Sequence, residues 1–226
     1  MLLTKKIADF YDKFWGKYQW NNYKEGLDSS RAKIVALLSK NTHVIIDVGC
    51  GIGSLEHILT SVSPQNYVIG VDISARACKI AHELNRNTEF IVADISHLPL
   101  RDRLADLIVL SEVIEHIHRR NRKDVIQELR RVVCPGKYLF LTAPNGLHPT
   151  IILRKLFNWI SAEFFSFSDQ IYDNPPSLHS LIKLLKNLEW KVLYLCFSNY
   201  TSLTRFKIKV PRCRFFASQV LVIVQA

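Results

Sequence analysis

Through residues 43–143 the chain places its apolar residues in five short blocks: HVIIDV (43–48), YVIGVD (67–72), EFIVA (89–93), ADLIVLS (105–111) and KYLFLTA (137–143). Each block is nearly continuous in apolar residues, as strands are when both faces of a parallel sheet are covered. Helix-period segments at 53–61, 74–85 and 119–133 follow the first, second and fourth blocks. Strand and helix alternating in this way predict an α/β fold with a doubly wound sheet. The tetrapeptide CPGK (134–137) is read as the stop of the third helix and the turn into the next strand. Ahead of the sheet, 3–20 and 27–40 read as helices, the second with Ile34, Val35, Leu37 and Leu38 on one side. Past residue 146 the rhythm changes. An amphipathic helix is expected over 151–167, NPPS (174–177) punctuates, 178–188 is helical, and strands follow at 190–198 and 218–225.

Composition narrows the class. A chain of 226 residues, 48% hydrophobic and 22% charged, fits one globular domain able to bury a full core. There is no run of eighteen uncharged apolar residues and no signal-peptide pattern in MLLTKKIADFYDKFW. Five scattered cysteines (50, 78, 134, 196, 213) form neither a disulfide framework nor a zinc pattern, so a cytoplasmic setting is expected. The net charge of +10 is uneven: 20 Lys/Arg against 16 Asp/Glu in residues 1–146, and 10 against 4 in residues 147–226. A basic final third can face phosphates, anionic lipid or an acidic small molecule, or can simply be solvated.

The first strand runs into IIDVGCGIGS (45–54), with Gly49, Gly51 and Gly53 on alternate positions. Glycines at a strand-to-helix turn let backbone approach a ligand closely. A dinucleotide loop would read G-x-G-x-x-G, but here Glu56 occupies the third glycine's place and Asp47 stands just upstream. Two unit charges at ~4 Å repel by about 4 kcal/mol at an effective dielectric of 20. The loop therefore suits a cationic or zwitterionic ligand better than a pyrophosphate. S-adenosylmethionine has no phosphate, and its ammonium is one that Asp47 could hold.

DVGCGIG resembles the first motif of the class I S-adenosylmethionine-dependent methyltransferases, in particular the type 11/12 branch and the ubiquinone-pathway O-methyltransferases. VIGVDIS, VADISHLPL, DLIVLSEVIEHI and LRRVVCPGKYLFLTAPN resemble the later segments of that family in the same order. The resemblance implies a Rossmann-like seven-stranded sheet with an antiparallel last strand. It implies one domain, with 1–42 a helical cap, 43–146 the cofactor-binding core, and 147–226 the acceptor-side helices and a terminal hairpin. It also implies that Asp47, Gly49, Cys50, Gly51 and Gly53 contact the cofactor, that Asp72 with Ile73 holds the ribose, that Asp94 and Ile95 face the adenine, and that Ser111 and Glu112 complete the pocket.

Residues 111–118 read SEVIEHIH. If helical, Glu112, Glu115 and His116 fall on one face and offer a divalent metal two carboxylates and an imidazole. The same string resembles the metal-binding segment of small-RNA 3′-terminal ribose methyltransferases. In methyltransferases that use no metal, a similar -EH- lines the cofactor or acceptor pocket, with His116 a general base or a structural hydrogen bonder and Glu115 beside it. The resemblance implies methyl transfer to an O or N of a small or lipid-like acceptor, such as a quinone precursor. RNA is the alternative acceptor, drawn to the basic loop 205–216 and to Arg119, Arg120, Arg122 and Lys123. A non-catalytic cofactor-binding subunit and an NAD-linked oxidoreductase are the rivals of another class. The aromatic stripe Phe10, Tyr11, Phe14, Trp15 and Tyr18 is read as packed core in preference to a segment closing over the cofactor. The 151–167 helix is open to a membrane-peripheral role, a lid or a dimer face.

Overall fold

The computed structural model describes residues 2–15, 35–40, 42–146, 174–198 and 219–226. The readings at 16–20, 27–34, 151–167 and 205–216 lie outside these residues. Strands β1 (Val44–Val48), β2 (Tyr67–Asp72), β3 (Glu89–Val92), β4 (Ala105–Ser111), β5 (Val133–Pro144), β6 (Lys191–Ser198) and β7 (Gln219–Gln225) form one sheet in the order β3-β2-β1-β4-β5-β7-β6. Strands β1 to β5 pair in parallel, and β7 runs antiparallel to both β5 and β6. The expected doubly wound seven-stranded sheet with an antiparallel final strand is what forms.

The helices are α1 (Leu2–Trp15), α2 (Ser54–Val62), α3 (Ala75–Leu84), α4 (Arg122–Val132) and α5 (Leu178–Asn187). Residues 35–39 are also helical. The third block is followed by no helix, as the pattern predicts, and β3 lies at the sheet edge. Its outer positions, Glu89 and Val92, are exposed, whereas β1 and β4 in the middle are buried along most of their length. The two strongest apolar blocks therefore take the two inner places where side chains are covered from both sides.

One boundary differs. CPGK is not a turn between α4 and β5 but lies within β5, whose pairing to β4 begins at Val133 opposite Ala105 and shifts register before Tyr138. Gly136, at φ +76°, supplies the left-handed residue that the irregularity needs.

Two buried clusters clothe the sheet. The larger joins β4 and β5 to Ile126, Leu129, Leu181, Leu185 and Trp190, so α4 and α5 share one face. Arg130 of α4 lies over the Trp190 ring at 5.3 Å from its centroid, tying that face together. The parallel order brings the carboxyl ends of β1, β2, β3 and β4 to one edge, and α4 starts a few residues beyond it.

Candidate active site

The turn after β1 is held by backbone. Gly49 and Cys50 N–H both donate to Val71 O, at 2.7 and 3.1 Å. Gly49, Gly51 and Gly53 have φ of +81°, +54° and +79°, which L side chains adopt only with strain. A Cβ at Gly49 would overlap the Val113 side chain, so the loop is clasped from the β4 side. Gly53 is fixed from α3, where Asn85 Nδ2 donates to its carbonyl at 2.9 Å. Cys50 is buried, and burial pushes its thiol well up, so it is a packing group rather than a nucleophile.

Asp72 ends β2 directly beside this loop. Its carboxylate accepts from Gly51 N–H at 2.9 Å and Ser74 N–H at 2.8 Å, and the Ile73 backbone also stabilises it. Burial raises its pKa, and these donors oppose the rise. Asp94, two residues past β3, accepts from Ser96 N–H and Oγ at 2.9 and 2.6 Å, which shapes the turn that carries Ile95.

Asp47 and Glu56 depart from the expectation that both carboxylates confront the ligand as charges. Both are buried, Glu56 completely, on the inward side of α2 with Ser54 and Leu59. Gly70 of β2 leaves the room that Glu56 occupies; a Cβ there would come within 2.9 Å of Glu56 Oε1. No N–H or O–H of another described group donates to either Glu56 oxygen, and its carboxyl faces Asp47. Burial first, and then the Asp47 charge, drive the Glu56 pKa well above its ordinary value, which favours the neutral form of this carboxyl. Asp47 is itself pushed up to about 7, mainly by burial, with the Glu56 hydrogen bond working the other way. With both values raised, burial disfavours two negative charges on the pair.

The segment after β4 is not the single helix that would align Glu112, Glu115 and His116. Glu112 sits at φ +57°, and only Ile114–His116 make a 3₁₀ turn. The left-handed residue sends the chain away from a helical path before that turn starts. Glu112 Oε1 accepts from Thr142 Oγ1 at 2.9 Å, and Thr142 in turn bonds Ser111 Oγ at 3.0 Å. Glu115 is instead buried, with His116 Nε2 at 3.8 Å from its Oε1. Among the described residues no three His, Cys, Asp or Glu side chains come together as a metal site.

Several contributors were not readable from motifs. Thr142 on β5 links Ser111 to Glu112 across the strands; a polar residue ending an apolar strand (LTAPN) was the available signal. On α1, Asp12 accepts from Ser74 Oγ and from Arg76 N–H at 3.0 Å, which secures the start of α3. The next-door residue, Tyr11, packs edge-on to His116 with ring centroids 6.2 Å apart. Since β1 lies between β2 and β4, α1 touches both flanks of the glycine turn. The Phe10, Tyr11 and Phe14 rings contact one another but stay only half-buried, so that stripe is not the interior packing anticipated for it.

The chemistry of this edge fits S-adenosylmethionine. Three left-handed glycines allow close backbone approach, and carboxylates at the ends of β2, β3 and β4 favour a sulfonium and an ammonium while opposing a pyrophosphate.

Comparison with known proteins agrees. Residues 46–141 match the methyltransferase domain family. The chain is 32% identical over 135 residues to a demethylmenaquinone methyltransferase of Thermotoga maritima, covering 58% of each chain. It is 35% identical over 113 residues to a tRNA (carboxymethyluridine(34)-5-O)-methyltransferase of Arabidopsis thaliana, covering 49% of this chain and 26% of that one. The alignments thus span between about a quarter and three fifths of these curated relatives. A SAM-dependent methyltransferase structure from Methanosarcina mazei superposes with a TM-score of 0.67 at 23% identity, over 85% of this chain and 96% of that one. The sheet order, the glycine turn and the match over residues 46–141 thus agree: across those residues the chain is similar to the methyltransferase domain family, and its fold is that of the solved S-adenosylmethionine-dependent methyltransferase.

Proposed function

We propose that the chain transfers the methyl group of S-adenosylmethionine to an oxygen or nitrogen of a small or lipid-like acceptor. The observation that carries this reading is the carboxylate-edged turn of three left-handed glycines, with the buried Asp47–Glu56 pair beneath it. In this reading the cofactor supplies an electrophilic methyl on a cationic leaving group. Asp72, held by Gly51 and Ser74 N–H, keeps lone pairs available for the ribose hydroxyls beside Ile73, and Asp94 and Ile95 border the adenine. Gly49, Cys50, Gly51 and Gly53 give the methionine end its backbone contacts. Ser111 and Glu112, locked by Thr142, face the reacting end. Asp47 favours the ammonium through its charge rather than by standing exposed against it.

Orientation carries much of the rate in such a displacement; well-placed pairs reach effective molarities of ~10⁵–10⁸ M. A base is needed for an alcohol acceptor, and His116, steadied by Glu115 and Tyr11, is the candidate. An H116A enzyme that kept full turnover would exclude that role.

The Thermotoga relative, named for demethylmenaquinone, supports the small or lipid-like acceptor. The Arabidopsis relative and the cations at 119–123 support RNA as the second reading. Calorimetry with S-adenosylmethionine, S-adenosylhomocysteine and NAD tests the cofactor: binding of NAD alone would end the methyltransferase reading. Label transferred from methyl-labelled cofactor into the organic-extractable fraction of a cell extract supports the proposed acceptor; label in RNA overturns it.

A further inference from the structure

Away from the glycine turn, a cavity of about 280 Å³ opens between the start of α4 and one face of α5. Arg119, Arg122, Lys123 and Lys183 line it, and among the described residues no acidic side chain does. Ser180, Lys183, Leu184 and Asn187 stand at i, i+3, i+4 and i+7 along α5, so one helical stripe forms that wall. Arg122 and Lys123 are the first two residues of α4, where the helix dipole also favours an anion.

The cations are not alike. Arg122 is only 7% exposed and is committed to backbone, donating from Nε to Ile117 O at 3.1 Å and from Nη2 to Asn174 O. Burial lowers its pKa while the Glu115 charge supports its ionised form. Arg119, Lys123 and Lys183 are exposed, and none is ion-paired with a described residue. A fixed guanidinium at the base and three exposed cations at the rim make a built anion site, with Ser180 and Asn187 as further hydrogen-bonding groups. Arg120, grouped with these residues on sequence, is not part of the lining.

The cavity adjoins the reaction edge. Arg122 bonds the residue after His116, and Asn174 N–H donates to Glu115 O at 3.1 Å. Its volume lies just under the usual range for drug-sized ligands, so it suits one head group rather than a tract of polymer. Pro176, Leu181 and Leu184 add an apolar wall beside the charges.

We propose that this cavity is a phosphate subsite that holds the phosphate monoester group of a small, partly apolar methyl acceptor, with Arg119, Lys123 and Lys183 as its mobile cationic ligands and Arg122 as its fixed one. The assignment rests on the small-acceptor reading above and names the group by which that acceptor is held.

The test uses the full chain saturated with S-adenosylhomocysteine and titrated calorimetrically with phenyl phosphate, inorganic phosphate and a short single-stranded RNA. Phenyl phosphate should bind at one site, at least fivefold tighter than inorganic phosphate. R119E and K183E, both on exposed residues, should each weaken it at least tenfold and leave S-adenosylhomocysteine affinity unchanged. Absence of saturable phenyl phosphate binding, or binding that both variants leave intact, overturns the proposal. Equal affinity for the two phosphates overturns the ester assignment in favour of free phosphate. RNA that displaces phenyl phosphate with a steep salt dependence overturns it in favour of a polymer backbone. Failure of S-adenosylhomocysteine to bind would instead strike the methyltransferase reading, and the two phosphate titrations can be repeated without it.

Discussion

The glycine turn and the α4–α5 cavity flank the same segment, residues 111–122, yet they are built from opposite materials. At the turn, acids are buried, paired or engaged by backbone N–H groups, and the only flexibility bought is that of three glycines. At the cavity, three of four cations are exposed and unpaired with described residues. The turn achieves its selectivity by restraint: Glu56 is buried, Asp72 is held by backbone N–H groups, and Gly49 has no room for a methyl group. The cavity achieves its own by excess charge around one anchored arginine. A change at the buried turn disturbs folding and binding together, whereas a change at the exposed rim alters binding and leaves the fold intact. Substitutions should therefore differ in size on the two sides.

The largest effect is expected at Gly49. G49A combines a left-handed backbone with overlap on Val113, a cost of roughly 2–6 kcal/mol. Its thermal midpoint should drop well below that of the parent, and calorimetric S-adenosylhomocysteine binding should vanish. A near-parental G49A would show that the turn is not the restrained region described.

Next comes D72N. Loss of charge-assisted bonds to the turn and to a ribose should weaken S-adenosylhomocysteine by about 10–100-fold, at ~1.5–3 kcal/mol for such bonds. Phenyl phosphate binding in the cavity should be unaffected, which separates the two regions directly.

E56Q sharpens the contrast through pH. The folded pKa values of Glu56 and Asp47 are raised above their ordinary values of 4.5 and 3.8, Asp47 to about 7. Over that interval the unfolded chain has released protons that the folded chain retains, so stability is greatest in acid and falls as pH rises. Melting scans from pH 4 to 8 should show the parent losing stability, and E56Q, which keeps a donor to Asp47 but cannot ionise, losing less. A gap of a few degrees is expected at pH 8, since each kcal/mol moves a chain of this size by about 2–4 °C. Parallel profiles would mean that the pair does not share a proton.

The smallest effect belongs to the basic side. R130A removes the cation over Trp190 that links α4 to the turn between α5 and β6, and should cost about 0.5–1 kcal/mol in denaturant unfolding.

The same two regions show what the amino-acid order reveals and what it hides. Strands such as ADLIVLS were legible because continuous apolar runs of that length have few other homes, and the glycine turn was legible because strand, glycines and helix are contiguous. Glu56 was misplaced because spacing gives its distance from Gly53 but not which side of α2 turns inward, and because a sequence shows a carboxylate without showing whether it is ionised. Glu112 was misplaced because nothing in SEVIEH announces a left-handed residue. Lys183 was missed because it lies some sixty residues from its partners in the cavity and meets them only through tertiary packing.

Neighbouring residues on α1 reach two strand ends that have little sequence in common: Asp12 bonds Ser74 and Arg76 beyond β2, and Tyr11 lies on His116 beyond β4. The helix spans 14 residues, about 21 Å of rod at 1.5 Å per residue. It works as a crossbar. The start of α3 and the turn after β4 are thus anchored to two consecutive side chains of one rod, which bridges them without passing through the sheet.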